Sequence, residues 1–159
     1  MIQLLLLRHA HAEEAPARGS DIDRPLSPRG RTEALDAAKR IVKAHLTCDR
    51  LLVSTAVRTR QTARIVAAEL KLTEPPQFDP LLYLGDADTL LSVLHRGADA
   101  ATLLLVGHNP GISELAQRFH GTAPPVLLRT AGLCRVAFDA KSSWNRLQPR
   151  HVAEFELLR

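Results

Sequence analysis

The sequence has few cysteines, few aromatic residues and no long apolar run. Its two cysteines among 159 residues, Cys48 and Cys134, are far apart and form no C-x-x-C pair. This spacing argues against a zinc site or a disulfide framework and predicts a reducing, cytoplasmic environment. Aromatic residues make up only 4% of the chain, too few for the stacking platforms that bind single-stranded nucleic acid.

Membrane and export signals are missing as well. The N-terminal apolar run covers residues 2–7, whereas a membrane span needs about 20 apolar residues. No basic segment precedes this run and no small-residue cleavage site follows it, so it does not resemble a signal peptide. We therefore expect a protein that does not act at a membrane.

The composition is typical of one globular domain with a basic surface. Hydrophobic residues make up 45% of the chain, charged residues 24%, and the formal net charge is +4. The length predicts a single domain spanning residues 1–159. Because the arginines are scattered among acidic residues and form no block, the positive charge favours an anionic substrate over nucleic acid.

Hydrophobic periodicity predicts alternating strands and helices, followed by strands alone. Ser27 and Pro28 are typical of a helix start, and the inward face of that helix is predicted to include Ile41 and Val42. This order predicts an α/β fold whose mostly parallel sheet carries antiparallel strands at an edge. The predicted strands are 2–7, 50–54, 102–106, 126–129, 135–138 and 152–157, and the further helices cover about 56–70, 87–96 and 111–119.

Two apolar strands end directly on histidines. One reads LLLLRH and ends at Arg8-His9, the other reads LLLVGH and ends at His108, and the turn after a third strand carries Arg58. Each of these residues taken alone is more often a solvated loop residue. Because ligands of open α/β sheets bind beyond the carboxyl ends of the strands, we expect all four side chains to converge on one site.

Two arginines and two histidines suit the chemistry of phosphoryl transfer. The guanidinium fork matches phosphoryl oxygens and neutralises their charge, and a neutral imidazole is a competent nucleophile at phosphorus. No cluster of carboxylates marks a magnesium site. The pattern therefore predicts a phosphohistidine intermediate, with no metal ion and no cofactor.

Four segments carry a family resemblance. The chain resembles the histidine phosphatase superfamily, which has the phosphoglycerate-mutase-like fold, and in particular its SixA-type branch of phosphohistidine phosphatases. The small size of the chain and Thr130-Ala131-Gly132 before a strand fit that branch. The segments are Arg8-His9-Ala10 for the RHG/RHA signature, residues 54–63 for S-x-x-x-R-x-x-Q-T-A, Gly107-His108 for the second histidine, and residues 23–30 for R-P-L-[ST]-x-x-G.

The resemblance implies a fold and a set of roles. It implies a three-layer α/β/α sandwich and one histidine-phosphatase domain over residues 1–159. It makes His9 the transiently phosphorylated nucleophile, with Arg8, Arg58 and His108 forming the catalytic phosphate pocket. Arg24 of the Arg-Pro-Leu stretch is implied as a further phosphate-binding residue, while Ser54 and Gln61 are expected to shape the pocket and pack the helix.

The sequence departs from the wider superfamily at the proton donor. Ester-cleaving members often use a glutamate in the segment that reads PLLYLGDADTLL here, where Asp86 and Asp88 are the only acids. Helix capping explains either aspartate at least as well, and Glu13 is an alternative acid. Because imidazole leaves phosphorus more readily than an alkoxide does, the missing glutamate favours a phosphoramidate substrate.

These observations predict a protein phosphohistidine phosphatase. Its partner would be a phosphohistidine-carrying protein of a phosphorelay (HPt-type) or of a phosphotransfer system. Two alternatives stay open: a small-metabolite phosphomonoesterase of the same superfamily, and a non-catalytic module that binds phospho-ligands. His11 and the Glu13-Glu14 pair are interpreted as solvated residues of the loop after the nucleophile.

Overall fold

The computed structural model describes residues 1–122 and 124–159. Over these residues the chain forms one mixed sheet with the strand order β3-β2-β4-β1-β5-β6. Strands β1 to β4 are parallel, and β5 and β6 add antiparallel at one edge. The strands are β1 Gln3–Arg8, β2 Arg50–Ser54, β3 Gln77–Asp79, β4 Thr102–Gly107, β5 Leu133–Phe138 and β6 Val152–Leu158, and the α-helices are α1 Pro28–Lys43, α2 Val57–Glu69, α3 Ala87–Leu94 and α4 Gly111–His120.

The central strand β1 supplies side chains to two separate cores. Leu4 and Leu6 are fully buried against α3 and α4, whereas Leu5 and Leu7 are fully buried against α1 and α2. A strand apolar on both faces needs helices on both sides to remove it from water. The result is the expected three-layer α/β/α sandwich, with a mostly parallel sheet and antiparallel strands at one edge.

The register of β1 against β4 sets the position of both strand-end histidines. Arg8 lies opposite Gly107 across the parallel pair, and the backbone N–H of His9 donates to the carbonyl of Gly107 at 3.0 Å. His9 and His108 therefore emerge side by side at the carboxyl edge of the sheet. Strand β2 is the other neighbour of β4, which brings the start of α2 to the same edge.

The predicted strand over 126–129 is wrong. Its backbone groups bond to side chains rather than to a neighbouring strand: Leu128 N–H donates to Ser113 Oγ at 2.8 Å, and Leu128 carbonyl accepts from Asn109 at 2.8 Å. The N–H of Val126 donates to the Gln117 side chain at 2.6 Å. Side chains of α4 and of the loop after β4 form hydrogen bonds with the backbone of this segment. The segment therefore runs beside the sheet without joining it.

Helix α1 begins as predicted, but its inward face differs by one position. Ser27 accepts from the N–H of Gly30 at 3.0 Å and caps the helix. Val42, expected inside, is 51% exposed, whereas Ala37 is fully buried. The buried face runs from Ala34 through Ala37 to Ile41, and Val42 lies beside this face, where its side chain is exposed to solvent.

Gly30 allows α1 to pack against the segment after β1. A β-carbon at this position would overlap the carbonyl oxygen of His11. We expect Gly30→Ala to lower the free energy of unfolding by about 1–3 kcal/mol. The added methyl group would meet backbone atoms of His11, and these cannot move aside as the end of a flexible side chain can. Urea unfolding measures the loss. Thr32→Ala, on the exposed side of the same helix, is the control, and equal stability of the two variants would contradict the expectation.

The residues that the structure describes include no helix that is both long and apolar enough to cross a membrane. The largest helix is α1, with 16 residues, and its outer face carries charged residues. This finding agrees with the short apolar run noted in the sequence.

Candidate active site

Arg8, His9, Arg58 and His108 lie together at the carboxyl edge of the sheet. The ring centroids of His9 and His108 are 5.3 Å apart. The guanidinium of Arg58, at the start of α2, contacts both rings: its Nε lies 3.3 Å from His9 Nε2 and its Nη2 lies 3.2 Å from His108 Nδ1. The structure thus brings together the four side chains that the sequence singled out; their roles in the reaction stay predictions.

The contacts of His9 assign a different role to each of its ring nitrogens. Its Nδ1 lies 2.7 Å from the carbonyl oxygen of Ala10, which can only accept. Nδ1 therefore carries the proton, and Nε2 keeps its lone pair toward Arg58. The N–H of Ala10 donates to the buried Thr62 hydroxyl at 3.1 Å, so helix α2 holds the carbonyl that orients the imidazole.

His108 is held in the opposite tautomer. The Nη2 of Arg58 can only donate, so the Nδ1 of His108 presents its lone pair to the pocket. Nε2 then donates to the hydroxyl of Ser54, at 2.7 Å, where β2 ends. The Tyr83 ring packs edge-on against His108 at a centroid distance of 5.5 Å. Ser54 therefore shapes the pocket, as expected, by orienting the second histidine.

Both imidazoles are neutral at physiological pH. Burial, opposed by the hydrogen bond to Ala10 and assisted by Arg58 and Arg8, lowers the pKa of His9 to about 4. Burial and the neighbouring Arg58 lower the pKa of His108 to about 3. A neutral His9 is the form that can attack phosphorus, since protonation would occupy the Nε2 lone pair.

These shifts predict an acid-sensitive fold. The unfolded chain takes up a proton at each histidine below pH 6.5, but the folded chain resists until about pH 4 at His9, so stability falls as the pH falls through that window. Between pH 7 and pH 5, His9 alone should cost roughly 2 kcal/mol of unfolding free energy. Urea unfolding of wild type, His9→Asn and the exposed-site control His45→Asn measures this. A pH dependence unchanged in His9→Asn would contradict the expectation.

Arg8 completes a cationic pocket with an unused donor. Its Nη1 donates to the Leu128 carbonyl at 3.2 Å, while its Nε is buried and has no hydrogen-bond partner among the described residues. A buried guanidinium N–H without a partner is costly, which indicates that a ligand normally accepts from it. The cavity measures about 400 Å³ and is lined by Arg8, His9, His11, Ala12, Asp21, Arg24, Arg58, Leu84, His108, Asn109 and Thr130.

Asp21, which the sequence did not single out, organises the cations. Its carboxylate accepts from Arg58 Nη2 at 3.0 Å and from Arg24 Nη1 at 3.2 Å, and its carbonyl accepts from Arg58 Nη1 at 2.7 Å. The Tyr83 hydroxyl also donates to the carboxylate. The hydrogen bond from Tyr83, then those from Arg24 and Arg58, lower the pKa of Asp21 to about 2. Asp21 therefore holds the outer edge of the Arg58 guanidinium and leaves the inner edge to the two imidazoles.

Arg24 lines the cavity, but part of its guanidinium is hydrogen-bonded to residues of the loop after β1. Its Nε donates to the Glu13 carbonyl at 2.9 Å, and its Nη1 donates to Asp21. The Nη2 group remains for a ligand. Gln61 holds the same stretch of chain, because its side-chain oxygen accepts from the N–H of Leu26 at 2.7 Å.

None of the three candidate proton donors lines the cavity. Asp86 caps α3 by accepting from the Thr89 N–H at 2.8 Å, as the capping interpretation anticipated. Asp88 pairs with Arg118 at 2.7 Å. The Glu13 side chain is exposed, and only its backbone carbonyl contacts the site through Arg24.

The sequence interpretation missed residues for different reasons. His11, assigned to a solvated loop, lines the cavity beside Thr130. Asp21 lies three residues before Arg24, a spacing that supports an ion pair, and Tyr83 is the single tyrosine of the chain. Thr62 is part of the quoted Q-T-A motif, but only the structure shows that its hydroxyl bonds the Ala10 backbone.

Among the described residues, no group of three or more histidine, cysteine, aspartate or glutamate side chains is arranged to hold a metal ion. The two cysteines are buried and free, and burial raises the pKa of the Cys48 thiol to about 11 and that of Cys134 to about 12. The anion-binding groups of the cavity are thus arginines and imidazoles.

A family model for the histidine phosphatase superfamily (branch 1) matches residues 4–83. The chain belongs to this superfamily. The match includes Arg8, His9, Arg24 and Arg58, and the structure adds His108 from outside the matched range. A relative from a Picosynechococcus species, an uncharacterized protein, is 34% identical over 83% of this chain and 82% of its own length.

Solved structures share the fold of this histidine phosphatase nearly end to end. A candidate phosphohistidine phosphatase SixA from Nakamurella multipartitia is 29% identical with a TM-score of 0.78, covering 99% of this chain and 95% of that chain. A protein histidine phosphatase SixA complexed with tungstate is 25% identical with a TM-score of 0.77, covering 94% of this chain and 98% of that chain. The SixA-type branch inferred from the sequence is thereby confirmed.

Proposed function

We propose that this histidine phosphatase is a protein phosphohistidine phosphatase that acts through a phosphorylated His9. The observation that carries the proposal is the His9 imidazole itself. Its proton is fixed on Nδ1 by the Ala10 carbonyl at 2.7 Å, and its Nε2 lone pair faces the Arg58 guanidinium. A neutral imidazole whose lone pair opens into a pocket of cationic donors suits attack on a phosphoryl group, because the phosphorus can lie between the ring nitrogen and those donors.

The surrounding donors match the charge that develops during transfer. Arg58 presents Nε and Nη2 toward the space between the two imidazoles, and Arg8 presents its unpartnered Nε. These donors would bind the equatorial phosphoryl oxygens, which carry the charge in a loose transition state. His108 accepts from Arg58 at Nδ1 and would keep that guanidinium directed at the phosphoryl oxygens.

The choice between a phosphate ester and phosphohistidine as substrate depends on whether the leaving group needs a proton. An alkoxide needs a proton as it leaves, but Asp86, Asp88 and Glu13 do not line the cavity, and Asp21 is ionised with a pKa of about 2. A phosphorylated imidazole whose second nitrogen is protonated leaves as a neutral ring. This favours phosphohistidine over sugar phosphates, as do the similar SixA phosphatases.

A phosphohistidine side chain reaches this enzyme on another protein. We therefore propose a phosphorelay (HPt-type) or phosphotransfer-system carrier as the partner, with the reaction taking place in the cytoplasm. The exposed Leu84 at the cavity rim, 53% accessible, supports a protein substrate because it offers an apolar contact outside the phosphate pocket. The arginines account for the phosphoryl charge without a metal ion.

The test compares two substrate classes on one enzyme preparation. A phosphohistidine-carrying HPt domain and a panel of sugar and glycerol phosphates are supplied at equal concentration, and phosphate release is followed for each. We expect kcat/KM for the phosphoprotein to exceed that for the esters by at least about 100-fold, roughly the contribution of a missing proton donor. Faster hydrolysis of the esters would overturn the proposal.

The second candidate is a small-metabolite phosphomonoesterase. One observation favours it: His11 lines the cavity and could protonate an alkoxide. The same substrate panel separates the two functions, since a metabolite phosphatase would show saturable turnover of one ester at micromolar to millimolar KM.

A further inference from the structure

His11 is held in place by three residues of the α1 N-terminal region. Its carbonyl accepts from the N–H of Ser27 at 3.0 Å, and its own N–H donates to the Glu33 carboxylate at 2.9 Å. Gly30, which cannot be enlarged without overlapping the His11 carbonyl, allows the helix to come this close. A solvated loop residue would not have both backbone groups bound and a helix packed against its carbonyl.

The side chain of His11, like its backbone, is held by hydrogen bonds. Its Nδ1 lies 2.7 Å from the Ser27 hydroxyl, which also caps α1 and donates to the His11 carbonyl at 3.3 Å. The hydroxyl has one proton, and donating it to the carbonyl leaves Nδ1 to donate in turn. Nε2 then keeps its lone pair, and no other described residue bonds to it.

His11 lines the cavity, and the other titratable side chains of the cavity are committed to other contacts. His9 would carry the phosphoryl group, and Arg58 bonds His108. Asp21 is committed to Arg58, Arg24 and Tyr83 and stays ionised, because the bond from Tyr83 above all lowers its pKa to about 2. Arg8 and Arg24 cannot act as bases, because a guanidinium keeps its protons.

Glu33 does not take this role. Burial acts to raise the pKa of Glu33, but hydrogen bonds from the His11 backbone, Thr130 and Arg29 hold it below its usual value. Its oxygens are therefore occupied, and it does not line the cavity. What remains at the cavity wall is the His11 imidazole, whose Nδ1 is held by Ser27 and whose Nε2 is bonded by no other described residue.

We propose that Nε2 of His11 is the proton-transfer group for hydrolysis of phospho-His9. Water attacks phosphorus, the new P–O bond forms as the P–Nε2 bond to His9 breaks, and the bonding pair returns to His9 Nε2. One proton of the water passes to His11 Nε2, and inorganic phosphate is released. The protonated His11 then releases that proton to solvent, so each cycle begins with a neutral His11 whose Nε2 carries a lone pair.

This proposal rests on a phosphorylated His9 but not on the identity of the substrate. Para-nitrophenyl phosphate is therefore the probe, because its leaving group departs without a proton. In His11→Asn, whose amide can still reach Ser27, we expect kcat/KM to change by less than about threefold, since this ratio reports formation of phospho-His9. We expect kcat to fall by about 100-fold and acid-labile phosphate to accumulate on His9.

Chemical rescue provides a second readout. Added imidazole should restore turnover of His11→Ala by about 10-fold or more, because a free base can occupy the vacated space. His45→Asn, a surface histidine in a left-handed turn that asparagine tolerates, is the matched control and should behave as wild type. Equal losses of kcat and kcat/KM in His11→Asn, or no accumulation of phospho-His9, would overturn the proposal. Wild type that hydrolyses the probe but not the phosphoprotein would overturn the proposed function alone.

Discussion

His9→Ala is expected to reduce phosphate release from any donor by on the order of 10⁴-fold, as removal of a covalent nucleophile does. The reason is specific to this site. The Ala10 carbonyl fixes the proton of His9 on Nδ1, and the Nε2 lone pair faces Arg58 inside the cavity. Phosphate release is followed over time, and quenched reactions are assayed for acid-labile phosphate on the protein.

The control for this prediction separates chemistry from folding. His9→Asn keeps a polar side chain beside the Ala10 carbonyl, so its fold should be retained while its activity is lost. Both variants should still bind tungstate or phosphate, because Arg8 and Arg58 remain. If either variant releases phosphate at the rate of wild type, the enzyme does not use His9, and a phospho-ligand binding module becomes the better interpretation.

Arg58→Ala is expected to cost about 10³-fold or more in kcat/KM, comparable to the loss of an arginine that stabilises a phosphoryl transition state. This guanidinium is only 3% exposed and contacts both histidines, with the Asp21 carboxylate on its outer edge. Its removal takes away the shared donor and leaves the carboxylate facing the phosphoryl group. Steady-state kinetics with the preferred substrate measures the loss.

Arg58→Lys tests whether charge or shape matters. An ammonium restores the charge but cannot contact His9, His108 and Asp21 at once, so it should recover no more than about a tenth of the lost activity. The matched control is Arg60→Ala, two residues further along α2, where the guanidinium lies over the Phe78 ring at 5.1 Å. Loss of activity in Arg60→Ala equal to that in Arg58→Ala would contradict the assignment.

Much of the architecture could be predicted because the apolar residues that define the sequence pattern are also the residues that are buried. Strands β1 and β4 are continuous apolar runs, and such runs need helices on both faces. The polar residue after each run then had to lie at the carboxyl edge. This rule places Arg8, His9 and His108 at one edge. Arg58 joins them because β2 is the other neighbour of β4, which brings the start of α2 to that edge.

Two of the failures, the strand over 126–129 and the loop after β1, arise from long-range hydrogen bonds. The segment 126–129 has apolar alternation typical of a strand, but side chains from α4 and Asn109 satisfy its backbone. The loop holding His11 and Asp21 looks mobile because of its polar composition. The close approach of α1 at Gly30 and bonds that include those from Ser27, Arg58 and Tyr83 hold it in place. Long-range hydrogen bonds of this kind leave no periodic trace in a sequence.

One rung of the sheet, the bond from the His9 N–H to the Gly107 carbonyl, links the nucleophile to the strand that delivers His108. This bond ties the backbone of His9 to β4, so the backbone amide of His9 should exchange with deuterium only when β1 and β4 separate. Asp21 and Arg24 lie on a partly exposed loop outside that cooperative unit. The spacing of the two histidines is thus set by the sheet and not by the loop that carries Asp21 and Arg24.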